Sequence, residues 1–210
     1  MSKCTPGPIY GRVGSDAPVL RPHLGSWDDI GAKGTRAGAW KIQAVSDTPT
    51  PSAVDVVEYY NTALDHYFIT WIAGEIAILD AGTTIKGWVR TGRTFKTYPT
   101  AQAGTTPVCR FYIPPDKGNS HFFGRGTVEC NGTAQNNPTF VLEDPQFMQM
   151  FLPTLGTCPA NTMEVYRVFS NRPDANHRYM TDRALRDSMV ARKWLPEGDG
   201  TDLVVMCAPR

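Results

Sequence analysis

Three of the four histidines, His66, His121 and His177, open closely similar phrases, "HYFIT", "HFF" and "HRYMT", at spacings of 55 and 56 residues. Asp65, Ser120 and Asn176 precede them, so each imidazole starts beside a small polar or acidic group. If the three rings converged on a common axis, they could ligate zinc and leave a fourth coordination position open. If they occupy equivalent outer positions, each ties its own polar loop to its own strand through ring hydrogen bonds. The neighbouring polar residues favour the second arrangement. His66, His121 and His177 are therefore read as structural histidines, with no metal and no other cofactor expected.

Nucleophilic catalysis needs a nucleophile, a base and an orienting group within reach of one another. Ser120 beside His121 is only an adjacent pair, and no G-x-S-x-G elbow occurs. Glu58, Asp65, Glu143 and Glu197 could supply carboxylates for glycoside cleavage, but no spacing singles out two of them. The chain is accordingly read as non-enzymatic. Aromatic residues offer a stronger case for binding, because the apolar C–H faces of a sugar stack on Trp or Tyr while polar neighbours satisfy its hydroxyls. The expected ligand-binding set is Trp71, Asp65, Tyr98, Arg172, Asp174 and Asn176. Trp88 and Trp194 recur at equivalent places and read as core wedges, whereas Trp71 has no counterpart in the other phrases.

The elements that would position these groups repeat with the histidines. Aromatic and β-branched segments precede each one, "VVEYYN", "VCRFYI" and "VYRVFS", and each reads as a strand. Polar turn-forming loops follow, and the histidine phrase then starts a second strand. In "TDRALRDSMVARKW", Thr181 or Asp182 can cap a helix, and in "AGEIAILDAG", Gly82 can end one in a left-handed conformation. The middle "GTVECNGTAQNNP" is poor in helix formers, so a frayed helix or a loop is expected there. Each unit closes with an aromatic, Trp88, Phe140 or Trp194, and an extended segment. This pattern predicts an α+β fold of three β-β-α-β repeats, about 56–104, 105–160 and 161–210. The repeats would pack with pseudo-threefold symmetry in a β-trefoil-like or small propeller-like closure. Residues 1–55 differ, being punctuated by Gly, Pro, Ser and Thr, and read as an irregular N-terminal arm and linker. Within it, Trp27 and Trp40 are large apolar groups suited to docking on the repeat domain or on a partner.

With 21 Lys and Arg against 20 Asp and Glu, the chain has no net field to draw it to nucleic acid or an anionic membrane. No apolar run is long enough for membrane insertion as a helix. The opening "MSKCTPGPIYGRVGSD" lacks the apolar core of a secretory signal, so export after processing or by another route is expected. Cys4, Cys109, Cys130, Cys158 and Cys207 include no C-x-x-C pair. The last four can pair in three ways or remain buried thiols. Cys109 with Cys130 and Cys158 with Cys207 is the favoured set, because each pair would staple neighbouring ends of repeat units, and an oxidising compartment would follow.

The strings "VVEYYNTALDHYFIT", "GWVRTGRTFKTY", "PVCRFY", "PTFVLEDP", "CPANTMEVYRVFSNRPDANHRYMTDRALRDSMV" and "VVMCAP" together resemble a repeat family of unknown function found mainly in bacterial exported proteins. The resemblance spans about 56–209, departs from the pattern at "GRGTVECNGTAQNN", and leaves the N-terminal arm without a counterpart. It implies an extracellular accessory module, lectin-like in organisation, and brings no catalytic residues with it. The functional expectation is a non-catalytic module at the cell surface that recognises glycan or another cell-envelope ligand. The alternative is a structural or assembly component of a surface layer, filament or virion, attached to neighbouring subunits through the arm.

Overall fold

The computed structural model describes residues 52–210. Trp27, Trp40 and the rest of the expected arm lie outside the described residues. The elements run β1 (Val54–Asn61), β2 (His66–Thr70), α1 (Ala73–Ala81), β3 (Trp88–Thr97), β4 (Thr106–Ile113), β5 (Ser120–Arg125), α2 (Gly126–Asn136), β6 (Val141–Met150), β7 (Thr162–Phe169), β8 (His177–Met180), α3 (Arg183–Ala191), β9 (Leu195–Glu197) and β10 (Val204–Pro209). They form three small antiparallel sheets, ordered β2-β1-β3, β5-β4-β6 and β10-β7-β8, with β9 joining the β10 edge of β7.

Strand alternation sends successive side chains to opposite faces. On β1, Val56 enters a core shared by all three sheets, while Val57 and Tyr59 pack under α1 with Leu79. On β4, Val108 joins the shared core, and Cys109, Phe111 and Ile113 form a separate cluster with Cys130 of α2. On β7, Val165 faces the shared core, and Tyr166 and Val168 pack with Met189 of α3 and with Trp194. Both faces of each central strand are thus covered.

No barrel closes among the described residues, which corrects the expected trefoil-like closure. Each central strand has both edges occupied by strands of its own sheet, and strand pairing continues from sheet to sheet only as isolated bridges, Tyr98 to Gln149 and Phe151 to Cys207. At Tyr67 on the β2 edge, a side chain stands in for a strand. The Asn176 amide accepts from the Tyr67 N–H at 2.9 Å and donates to the Tyr67 carbonyl at 3.0 Å. It also donates to Ser120 Oγ at 2.6 Å, so one fully buried residue ties the third sheet to the first and second.

The helix ends follow local chemistry. Asp182 accepts the Leu185 N–H at 3.0 Å at the start of α3, and Gly82 ends α1 with φ 59°. The middle helix is a correction, since α2 runs 11 residues despite its weak sequence. Glu129 in its first turn accepts the Arg125 N–H at 2.6 Å and is gripped by Arg167, and a Cys109–Cys130 disulfide holds the next residue to β4. Tertiary bonds supply what intrinsic propensity lacks. The second disulfide joins Cys158 to Cys207.

Charged residues also stitch the sheets. Glu58, Arg110 and Arg167 take the third place in "VVEYYN", "VCRFYI" and "VYRVFS", and each makes an ion pair across a boundary. Glu58 receives Arg178 at 2.8 and 2.9 Å, Arg110 reaches Glu75 at 2.8 Å, and Arg167 reaches Glu129 at 2.7 Å. Gly118 shows how tightly the second and third units approach: its φ is 146°, and a Cβ there would sit 2.6 Å from the Ala175 carbonyl oxygen.

Candidate functional site

Clefts open where one unit's helix overhangs the next unit's histidine hairpin. The first, about 320 Å³, is walled on one side by Leu64, Phe68, Ile78, Leu79, Ile85 and Trp88. Facing them are Arg110, Tyr112, Asn119, His121 and Glu143 of the second unit, with Glu75 of α1 beside Arg110. A volume in this range and a mainly apolar wall with a few convergent polar groups are the ordinary properties of a small-ligand site.

Each polar group is held from behind. Arg110 lies over the Phe147 ring with its guanidinium carbon 4.6 Å from the centroid, its Nη1 2.8 Å from Glu75 and its Nε 2.8 Å from Glu143. Thr70 donates to Glu75 Oε2 at 2.6 Å, fixing that carboxylate from β2. His121 Nε2 stands 3.3 Å from Glu143 Oε2, and its ring packs 4.8 Å from Phe68 and 5.5 Å from Tyr112. The His121 bond, reinforced by Arg110, holds the Glu143 carboxyl below the usual carboxylate range against the opposing effect of burial. Trp88 meets Phe68 edge-on at 6.0 Å, so the aromatic wall is packed in place rather than loose.

The second cleft, about 250 Å³, lies between α2 and the third unit, lined by Phe122, Thr133, Phe140, Phe169, His177 and Glu197 among others. The third, about 340 Å³ and more polar, runs between α3 and the first unit, past Asp65, Tyr67, Arg172, Arg192, Lys193 and Trp194.

Of the ligand-binding set expected from sequence, Asp65, Arg172, Asp174 and Asn176 come together near this third cleft. Arg172 pairs with Asp65 and, at 3.0 Å, with Asp174. Asn176 has no exposed surface and its amide is consumed by Tyr67 and Ser120, so it has nothing to offer a ligand. Trp71 and Tyr98 are not brought there and line none of the three clefts described. The Trp71 indole N–H donates to the Phe147 carbonyl at 2.8 Å, and Tyr98 bridges to Gln149.

The histidines do not each pin their own loop. His66 is buried and its Nε2 lies 3.2 Å from Asp174 of the third unit's loop. His121 packs on Phe68 of the first unit, and His177 on Phe122 of the second at 4.9 Å. His121 and His177 also meet their own units, at Glu143 and Tyr112 and at Glu197 and Phe169, so each of these rings sits at a boundary between units. Among the described residues, no group of three His, Cys, Asp or Glu side chains is arranged to hold a metal ion. No helix among them is long and apolar enough to cross a membrane.

Sequence reasoning passed over Glu75 and Arg110 and took Trp88 for a core wedge. Arg110 had one available signal: a charge between Cys109 and Phe111 in an otherwise buried strand requires an acidic partner.

Comparison with known proteins gives one family match. A family model described as a domain of unknown function (DUF5648) matches residues 32–150, a span that contains every lining residue of the first cleft. No curated protein matches, and no solved structure does. With more than half of its length matched, the chain belongs to the family described as domain of unknown function DUF5648.

Proposed function

We propose that the domain is a non-catalytic binding module of the cell exterior and that it recognises a glycan or another cell-envelope ligand in the first cleft. The observation that carries this reading is the pairing of an apolar wall containing Trp88 and Phe68 with Arg110, His121, Glu143 and Asn119 opposite. Flat aromatic faces suit the C–H faces of sugar rings, and the facing polar groups suit their hydroxyls. Glu143, bonded by His121 and beside Arg110, is held in its ionised form, which argues against its acting as a proton donor.

Two disulfides are the chemistry of an oxidising compartment and support an extracellular location. The same strand order in all three sheets, with a helix between the second and third strands each time, supports reading the units as copies of one motif with pseudo-threefold organisation.

Titration calorimetry of the full chain against purified wall polymers, guided by a glycan array, tests the proposal. Binding is expected, and Trp88→Ala weakens it about tenfold by removing the stacking face. A folded protein that binds no glycan or wall polymer, or a Trp88→Ala variant that binds as tightly as the parent, overturns it.

A further inference from the structure

The exposures of the charged groups in the first cleft fall in an order that specifies the ligand's charge. Arg110 is the deepest, its side chain 13% exposed, whereas the Glu75 and Glu143 side chains are 29% and 30% exposed. The guanidinium lies under the two carboxylates, occupied by them and by the Phe147 ring. The two carboxylate side chains therefore offer an incoming molecule more exposed surface than the arginine does. The lining thus sets two carboxylates, Glu75 and Glu143, beside one guanidinium. The apolar wall of Phe68, Ile78, Ile85 and Trp88 limits water around these charges, and an attraction in such a place is stronger than in open solvent.

Shape narrows the class further. A thin aliphatic amine would leave a cleft of about 320 Å³ underfilled, while a pyranose ring suits a lining that includes the aromatic rings of Trp88 and Tyr112. Asn119 accepts the Tyr112 hydroxyl proton at 3.0 Å, which fixes its amide at the rim with its N–H groups turned to other partners such as a hydroxyl.

We propose that the occupant is a glycan bearing a free amino group, with its ammonium seated on Glu143 and Glu75 and its pyranose ring faced by Trp88. This inference rests on the binding-module reading and adds the charge of the ligand to it. The test is calorimetric titration of the full chain, at low salt, with four probes of similar length. These are a β-linked glucosamine oligomer with free amines, its fully N-acetylated counterpart, a glucose oligomer of the same linkage, and oligolysine.

The expected result is that the free-amine oligomer binds about tenfold more tightly than the acetylated and glucose oligomers. Raising salt from about 20 to about 200 mM erodes most of that preference, since the two ionic partners are partly exposed. Glu143→Gln reduces the same preference, the free-amine oligomer losing more affinity than the glucose oligomer does. If Glu143→Gln fails to melt cooperatively, Glu75→Gln and the salt series take its place, and a preference untouched by both overturns the inference. Equal or tighter binding of the acetylated oligomer removes the amine and leaves the binding-module reading standing. Tighter binding of oligolysine removes the sugar ring and assigns a basic peptide instead. Failure of every oligomer to bind a folded protein removes the amino-glycan inference, while the binding-module reading falls only if the glycan array and the wall polymers fail as well.

Discussion

His177 makes the stability of this fold depend on pH in a window where few other groups titrate. The ring stacks on Phe169 at 5.0 Å and meets Phe122 edge-on at 4.9 Å, and its Nδ1 is buried without a hydrogen-bond partner. Glu197 Oε2 is 3.6 Å from Nε2, but that oxygen already accepts Arg167 Nε at 2.7 Å, so its charge is committed elsewhere. Burial, and then the Arg167 cation, push the imidazole down to about 3 from the ordinary 6.5. Because the folded value lies below the unfolded one, the unfolded chain binds more protons between those two pH values. Stability is then fully present above about 6.5 and falls as the solution is acidified towards 3. The slope is about 1.4 kcal/mol per pH unit, so a step from pH 7 to pH 5 costs about 2 kcal/mol. Urea denaturation of the parent and of His177→Gln at both pH values measures it. The parent is expected to lose about 2 kcal/mol more than the variant over the step. Carboxylates held below their ordinary range, such as Glu129 and Glu143, act at lower pH and in both proteins, so they cancel in the difference. Equal losses in parent and variant would refute the claim that this ring is buried neutral.

Glu58→Ala strands the Arg178 guanidinium over the Tyr67 ring, 3.9 Å from its centroid, without its carboxylate. A loss of about 3 to 5 kcal/mol is expected by equilibrium denaturation, and a loss under about 1 would show the pair to be solvated. Asn176→Ala leaves the Tyr67 backbone groups and Ser120 Oγ without their buried partner. About 3 kcal/mol is the expected cost, together with faster hydrogen exchange at Tyr67; unchanged exchange there would count against the strand-mimicking role. The disulfides close loops with sequence separations of 49 and 21. Removing Cys158–Cys207 as an Ala pair is expected to cost about 4 kcal/mol and removing Cys109–Cys130 about 3, on the chain-entropy account. Denaturation of the two variants checks the order, and its reversal would show that packing outweighs loop closure.

Much of the fold was legible along the chain. Strand pairs around each histidine and the helix caps at Asp182 and Gly82 follow from local residue types and period. The helix α2 was not legible, because Glu129 gains Arg167 and Cys130 gains Cys109 only after distant strands have packed. Closure was misjudged for a related reason. A side-chain amide at Asn176 can occupy a strand edge as well as another strand can, and no periodicity announces that.

The functional residues divide along the same line. Sequence by itself determined which side chains could do chemistry and which segments carry them, since residue type and spacing are local properties. Tertiary structure decided which of them meet. Trp71 and Trp88 are equivalent as residues, yet the Phe147 carbonyl takes the indole N–H of Trp71 while Trp88 is left lining a cleft. Glu75, Arg110 and Glu143 become one site because a helix from one unit overhangs a strand pair of the next, and a pairing across that boundary depends on distances in space that separation along the chain does not encode.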